Sequence, residues 1–234
     1  MIGNDKTMKA IYQNSFGNEE KLVLGNLPMP IIGADDILIK IKYAGIGQWD
    51  PFEREGGYAE MLGLKAEFPY ILGSEGVGVI EKIGESVTHY EVGDRVYAAG
   101  FLNARGGFYA EYVSVHKDFV SPAIENYSDE ELAGIAGVGL TVLRGLEDIL
   151  KLKRGDSIII HGASGAMGHI ALQLAKVLGA NTIAIASGKD GVTLCEGLGA
   201  DLVIDGRQAG AIQSIKKSFP GLIDYVFLTT SPVP

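Results

Sequence analysis

The chain has 234 residues, a formal net charge of −9 and a single cysteine; its acidity repels a phosphate backbone, and no Lys/Arg run is interleaved with aromatics, which argues against a nucleic-acid partner. Cys195 by itself cannot close an internal disulfide and no apolar stretch approaches the roughly 18 residues of a membrane span, so the expectation is a cytoplasmic protein with no membrane partner. Hydrophobic residues at 47% and 33 glycines exclude a disordered chain and imply a folded one with many tight turns.

Met1 to Thr7 lacks both a basic and an apolar signal region and reads as a loose leader, with Met8 as a second possible start. From Lys9 to about Val120, short β-prone runs are punctuated by glycine: residues 37–43, 76–80, 94–97 and 110–115. Their alternation of apolar and polar positions predicts half-buried strands in a compact β-barrel-like domain. Ser128-Asp129-Glu130-Glu131 supplies a helix N-cap and an acidic first turn, after which apolar residues from Leu132 through Leu150 recur at helical spacing. Beyond Asp156 the pattern becomes regular: strand 157–161, helix to Leu178, strand 182–186, helix to Leu198, strand 201–205, helix 209–219 and strand 223–228. Continuous apolar strands alternating with helices predict a parallel sheet covered on both faces, here with four strands. The expected division is therefore a β domain over 1–123 and an α/β domain over 124–234.

The strand ending at His161 runs directly into Gly162-Ala163-Ser164-Gly165-Ala166-Met167-Gly168 and then into an amphipathic helix carrying Ile170, Leu174, Val177 and Leu178 on one face. A glycine turn in that context lets the backbone approach a pyrophosphate while the helix N-terminus faces the anion, and Gly168 lets helix and strand pack closely. The second strand ends in Ser187-Gly188-Lys189. A hydroxyl and an ammonium suit the 2′-phosphate of NADP(H), whereas an acidic residue would suit an unphosphorylated ribose. Asp190 either serves a ribose or caps the following helix, and capping is the expected role.

With these motifs in order, the chain resembles the zinc-free quinone oxidoreductase branch of the medium-chain dehydrogenase/reductase superfamily from Met8 to Thr230. Ala44-Gly45-Ile46-Gly47-Gln48-Trp49-Asp50 is similar to the family's segment beneath the nicotinamide, and Gly73-Ser74-Glu75-Gly76-Val77-Gly78 to its G-x-E-x-x-G element. Gly93-Asp94-Arg95-Val96, Gly106 to Tyr112, Gly139-Leu140-Thr141, Leu152 to Asp156 and Ala186 to Lys189 follow in family order. The resemblance implies a GroES-like β-barrel domain followed by a partial Rossmann doubly wound sheet. It also implies Thr141 near the cofactor and Gln48, Trp49 and Asp50 in the substrate pocket.

Zinc-dependent relatives carry cysteine and histidine where this chain has Gly47 and Ser74, and neither replaces a thiolate or imidazole on zinc, so no metal is expected. His89, His116, His161 and His169 have no metal-ligand spacing. The resemblance then implies hydride delivery from NADPH to an electrophilic small molecule, a quinone or an α,β-unsaturated carbonyl, with no proton donor assigned. Three departures from the family are Gly47 in place of an asparagine, Phe52 in place of a pocket tyrosine, and Asp205-Gly206-Arg207 without a tyrosine beside the adenosine. Family members continue through two further strands past the position of Pro234, which raises the expectation of a fragment with an open edge at its fourth strand and a possible homo-oligomer through that edge. An NADP(H)-binding or interaction module without turnover, and an enoyl-reductase module of a larger synthase, are the alternatives.

Overall fold

The computed structural model describes residues 6–230, so the expectations placed on Met1 to Asp5 and on Ser231 to Pro234 lie outside the described residues. It divides into two compact units, Met1–Gly137 and Val138–Pro234.

In the first unit, β1 (Thr7–Gln13) pairs antiparallel with β2 (Val23–Pro28). After β3 (Asp36–Ala44) come the short helices α1 (Trp49–Arg54) and α2 (Gly57–Leu62), then β4 (Tyr70–Ile71), which pairs with β1. β5 (Glu75–Ile83), β6 (Arg95–Ala99), β7 (Tyr112–His116) and β8 (Val120–Pro122) complete a five-stranded antiparallel sheet ordered β7-β3-β5-β6-β8. These are the two curled antiparallel sheets of the expected GroES-like domain, and a bridge between Ala10 and Ala110 touches them together. The main core packs Ile37, Ile39, Ile80, Val96, Phe108 and Val113.

The expected alternation fails at the centre of that sheet. Residues 36–39 of β3 and 75–78 of β5 are buried without a break, because the face away from the main core is also covered. α3 (Asp129–Ala133) packs there, bringing Leu132 and Ala133 against Val77. The predicted N-cap is present, Ser128 Oγ accepting from Glu131 N–H at 3.2 Å, and the structure extends it to a capping box in which Glu131 Oε2 accepts from Ser128 N–H at 2.8 Å. Asp129 anchors α3 to the sheet through Arg95 at 2.6 Å and Lys42 at 3.0 Å. These contacts place α3 in the first compact unit.

The apolar stretch 132–150 is not one helix. α3 stops at Gly134, α4 (Ala136–Leu143) follows, and a π-helical turn over Arg144–Ile149 closes the segment. Glycine at the end of the first turn removes the side chain that would favour continuing it.

The second unit then alternates as predicted: β9 (Ser157–His161), α5 (Ala166–Leu178), β10 (Asn181–Ala186), α6 (Gly188–Gly197), β11 (Leu202–Asp205), α7 (Ala211–Ser218) and β12 (Tyr225–Leu228). The sheet is parallel with the order β11-β10-β9-β12, so the chain reverses direction of growth beside β9. A reversal of this kind is where open α/β sheets bind ligands, beyond the carboxyl ends of the strands. Ile158, Ile160, Ile183 and Ala184 are fully buried between the helical layers. The opposite ends of the strands are tied by two like-built anchors. Asp201 Oδ2 accepts from Thr182 N–H at 2.7 Å and from its hydroxyl at 2.9 Å, and Asp224 Oδ2 accepts from Ser157 N–H at 2.8 Å and from its hydroxyl at 2.7 Å. Among the described residues no helix is long and apolar enough to cross a membrane.

Candidate functional site

The predicted residues fall in two groups, one in each unit. In the second unit the glycine turn joins β9 to α5. Gly162 takes φ +80°, and its N–H and that of Ala163 both donate to Ile185 O at 3.0 Å. A methyl on Gly162 would stand 2.6 Å from Thr229 Oγ1, and one on Gly168 would stand 2.1 Å from Gly162 O. The predicted close approach of α5 to the turn is therefore real, and it is made at Gly168. Gly165 is the N-cap of α5, with an ordinary φ of −78°, and Ala166 and Met167 form the first turn with Gly168. Helix geometry leaves the N–H groups of that turn without intrahelical acceptors, and no acidic side chain occupies it, so the positive end of the helix dipole is available to an anion. Ala163 is fully buried, and Ser164 lies against Gly191 of α6, where a methyl would meet its Oγ at 2.8 Å.

Ser187 and Lys189 are both exposed at the end of β10. Ser187 is the N-cap of α6 but makes no side-chain capping bond. The expected cap, Asp190, makes none either. Asp205 at the tip of β11 takes that place, accepting from Gly188 N–H at 3.2 Å and from Arg207 N–H at 3.0 Å. Those donated bonds, Arg207's first, hold the Asp205 carboxyl below its ordinary range. Arg207 lies beside the same turn, since a methyl on Gly188 would come within 3.0 Å of its Nη1. The sequence signal for this guanidinium is a cation two residues past a strand end, in the segment where relatives carry a tyrosine.

Thr229 and Thr230, just after β12, were also missed. Thr229 Oγ1 donates to His161 O at 2.8 Å, and Thr230 Oγ1 lies 2.8 Å from His161 Nδ1. They buttress the glycine turn from the neighbouring strand. Thr141 is exposed on α4.

In the first unit, Gln48 precedes α1 without a side-chain capping bond and is exposed, Trp49 is half-buried and Asp50 is 6% exposed. Asp50 Oδ2 accepts from Gly47 N–H at 2.6 Å and from the Tyr109 hydroxyl at 2.9 Å. Burial, and then the Asp50 carboxylate, push the Tyr109 phenol well above its usual range. Trp49 Nε1 donates to Ser74 Oγ at 2.8 Å, and a methyl on Gly47 would strike the Trp49 ring at 2.3 Å. The indole thus fills the space between Gly47 and Ser74. Glu75 is 2% exposed and accepts from Gly137 N–H at 2.7 Å; burial raises its carboxyl pKa. Gln48, Trp49 and Asp50 therefore do not converge as one polar group: Asp50 and Trp49 hold the loop, and Gln48 points to solvent.

The chain matches the model of the alcohol dehydrogenase GroES-like domain over residues 33–125 and that of the zinc-binding dehydrogenase domain over residues 166–233. The second name raises the question of a metal, and the residues do not fit one: an indole lies where the two ligands would converge, and among the described residues no group of three or more His, Cys, Asp or Glu side chains is placed to hold an ion. An alcohol dehydrogenase of Geobacillus stearothermophilus is 33% identical over 92% of this chain and 68% of the relative. The solved quinone oxidoreductase of Coxiella burnetii is 31% identical with a TM-score of 0.80, covering 90% of this chain and 66% of that one. The Escherichia coli quinone oxidoreductase, solved in complex with NADPH, is 26% identical with a TM-score of 0.76, covering 91% of this chain and 63% of that one. This chain thus spans about two thirds of the length of each. Both domain models, in the order and at the positions that the two compact units occupy, together with these relatives, establish that the chain belongs to the alcohol dehydrogenase-like, medium-chain dehydrogenase/reductase superfamily.

Proposed function

We propose that the second unit binds NADP(H) and that the protein is a metal-independent oxidoreductase acting on a quinone or an α,β-unsaturated carbonyl. The observation that carries the reading is the cradle at the glycine turn, where the 2.1 Å approach at Gly168 leaves room for backbone only and an acid-free helix start faces outward. In this reading the N–H groups of Ala166, Met167 and Gly168 hold the pyrophosphate, Gly162 and Ala163 shape the turn, and Ser164 and Gly165 allow the close approach. Ser187, Lys189 and Arg207 surround the 2′-phosphate, two cations against the single Asp205 carboxylate, whose Oδ1 is engaged by two backbone donors. The family resemblance supports a place for Thr141 on the nicotinamide side.

When bound, the nicotinamide supplies the hydride. The chain's own residues bind and orient: Thr229 keeps the glycine turn in shape, and Trp49 and Asp50 keep the 47–50 loop in place for an acceptor molecule, with Gln48 as its exposed polar group. Trp49 also holds the metal position closed, so the acceptor must already be electrophilic. The relatives named quinone oxidoreductase support this substrate class.

The test is a calorimetric titration of the chain with NADPH and with NADH at one salt concentration, beside an elemental analysis. Preference for NADPH with no stoichiometric zinc is expected. Equal affinities would sink the cofactor assignment, and one zinc per chain would sink the metal-independent one.

A further inference from the structure

Residues 186–189 and 205–208 meet at the carboxyl ends of β10 and β11, and two hydrogen bonds join them. Gly206 N–H donates to Ala186 O at 2.8 Å. Gly188 N–H donates to Asp205 Oδ1 at 3.2 Å, and the same oxygen accepts from Arg207 N–H at 3.0 Å. Within its own segment, Gln208 N–H closes on Asp205 O at 3.0 Å. One carboxylate oxygen therefore fixes both the turn that carries Ser187 and Lys189 and the backbone from which the Arg207 side chain leaves.

The turn receives that side chain at a glycine. Gly188 has φ +76°, and a methyl there would stand 3.0 Å from Arg207 Nη1, 3.6 Å from Cζ and 3.9 Å from Nη2. The guanidinium thus lies over the bare Cα of Gly188, flanked in sequence by Ser187 and Lys189, all three side chains being exposed. Among the described residues no carboxylate oxygen is within ion-pair distance of the Lys189 ammonium or the Arg207 guanidinium.

By charge alone Asp205 opposes a phosphate at this place. Repulsion between exposed charges several ångströms apart in water changes an affinity by about two- to threefold. A guanidinium held in place for a charge-assisted hydrogen bond changes it by about ten- to a hundredfold. The effect of position therefore outweighs the repulsion.

We propose that Asp205 is a positioning residue for nucleotide choice: by holding Gly188 and Arg207 on one oxygen, it sets the Arg207 guanidinium against the 2′-phosphate, so that this carboxylate favours NADP(H) over NAD(H). The inference rests on the cofactor reading above and adds to it a residue that acts through Arg207.

The full chain is titrated calorimetrically with NADPH and with NADH at one pH and salt concentration, unmodified and as Asp205→Ala, Asp205→Asn, Arg207→Ala and the Asp205→Ala, Arg207→Ala double variant. Asparagine keeps an oxygen acceptor and removes the charge, so Asp205→Asn should keep the ratio of NADPH to NADH affinity or raise it by up to about threefold. Asp205→Ala removes the acceptor and should lower the ratio by about tenfold, with NADH affinity within about threefold. Once Arg207 is alanine, Asp205→Ala should change the ratio by less than about threefold, because the group it acts through is gone. A ratio unchanged or raised in Asp205→Ala, a ratio lowered as far by Asp205→Asn, or an equal fall with and without Arg207 would each overturn the proposal. Residue 205 lies at a half-exposed strand tip, and far-ultraviolet circular dichroism checks that each variant folds; if Asp205→Ala does not, a tenfold fall in Asp205→Asn refutes the proposal and a ratio kept or raised supports it. Equal affinities in the unmodified chain would sink the cofactor reading and this inference with it, whereas a preference for NADPH that Asp205→Ala leaves untouched sinks this inference alone.

Discussion

Gly168→Ala would place a methyl carbon 2.1 Å from Gly162 O and 2.7 Å from Ala163 Cα. Ordinary contact begins at 3.4 Å, so α5 must withdraw from the turn by about 1 Å. The opposing atoms are backbone and have no rotamer with which to yield. Overpacking of a well-filled site costs about 1–3 kcal/mol, and this geometry belongs at the upper end. Alanine's better helix propensity returns about 1 kcal/mol, which leaves a net loss of about 1–2 kcal/mol. Gly197→Ala in α6 is the matched control, because nothing lies within 4 Å of its added methyl, and it should stabilise by about 0.5–1 kcal/mol. Urea denaturation followed by far-ultraviolet circular dichroism reads both. A Gly168→Ala midpoint equal to or above that of the unmodified chain would refute the claim that α5 packs on the turn at this distance.

Lys189→Ala and Arg207→Ala should each weaken NADPH by about 1–3 kcal/mol while leaving NADH within a few tenths, as expected for charge-assisted bonds to a phosphate; parallel losses for both nucleotides would show that these cations do not read the 2′-phosphate. Stability should pass through a maximum in mildly acidic solution. Asp129, lowered by its bond from Arg95, and Asp224, lowered by its bonds from Ser157, contribute stability above the ordinary aspartate value of 3.8 that is lost as pH falls. Glu53 and Glu75, raised by burial and then by the Asp50 charge, contribute stability below the ordinary glutamate value of 4.5 that is lost as pH rises through their folded values. Glu75→Gln should therefore flatten the alkaline decline in thermal melts, and an unchanged slope would contradict the assignment. Among the described residues β12 pairs only with β9, and Val226 and Leu228 are 51% and 68% exposed, so association through that edge should diminish in Val226→Lys. Sedimentation showing the same behaviour for both proteins would count against an interface there.

The division of labour between sequence and tertiary structure follows from the range of each signal. β9, the glycine turn, α5 and the β-α alternation after it were legible because their determinants are local: an unbroken apolar run, glycines at fixed offsets, and a helical stripe whose period is set by backbone geometry. The N-cap at Ser128 was legible for the same reason, since its acceptor and donor lie three residues apart; the return bond from Glu131 is what the structure adds. Element ends were less so. β12 was expected from Ile223 but begins at Tyr225, because Asp224 is drawn out of the ladder to anchor Ser157, 67 residues away.

What only the tertiary structure decided involves partners distant along the chain. No periodicity could reveal that α3 covers the second face of β3 and β5, that Asp205 and not Asp190 receives the N–H at the start of α6, or that Arg207 lies against Gly188. The same holds for the residues of the first unit. The family resemblance implied a pocket role for Trp49 and Asp50, but what their side chains bind is set by Ser74 and Tyr109, 25 and 59 residues further on. Glu53 carried no signal at all, since a glutamate in a short helix looks like any solvated one until folding encloses it beside Tyr70 and a cavity. Local chemistry specifies backbone conformation and which face is apolar; burial and the pairing of polar atoms are properties of the assembled chain, because they depend on which distant atoms exclude water from a given group.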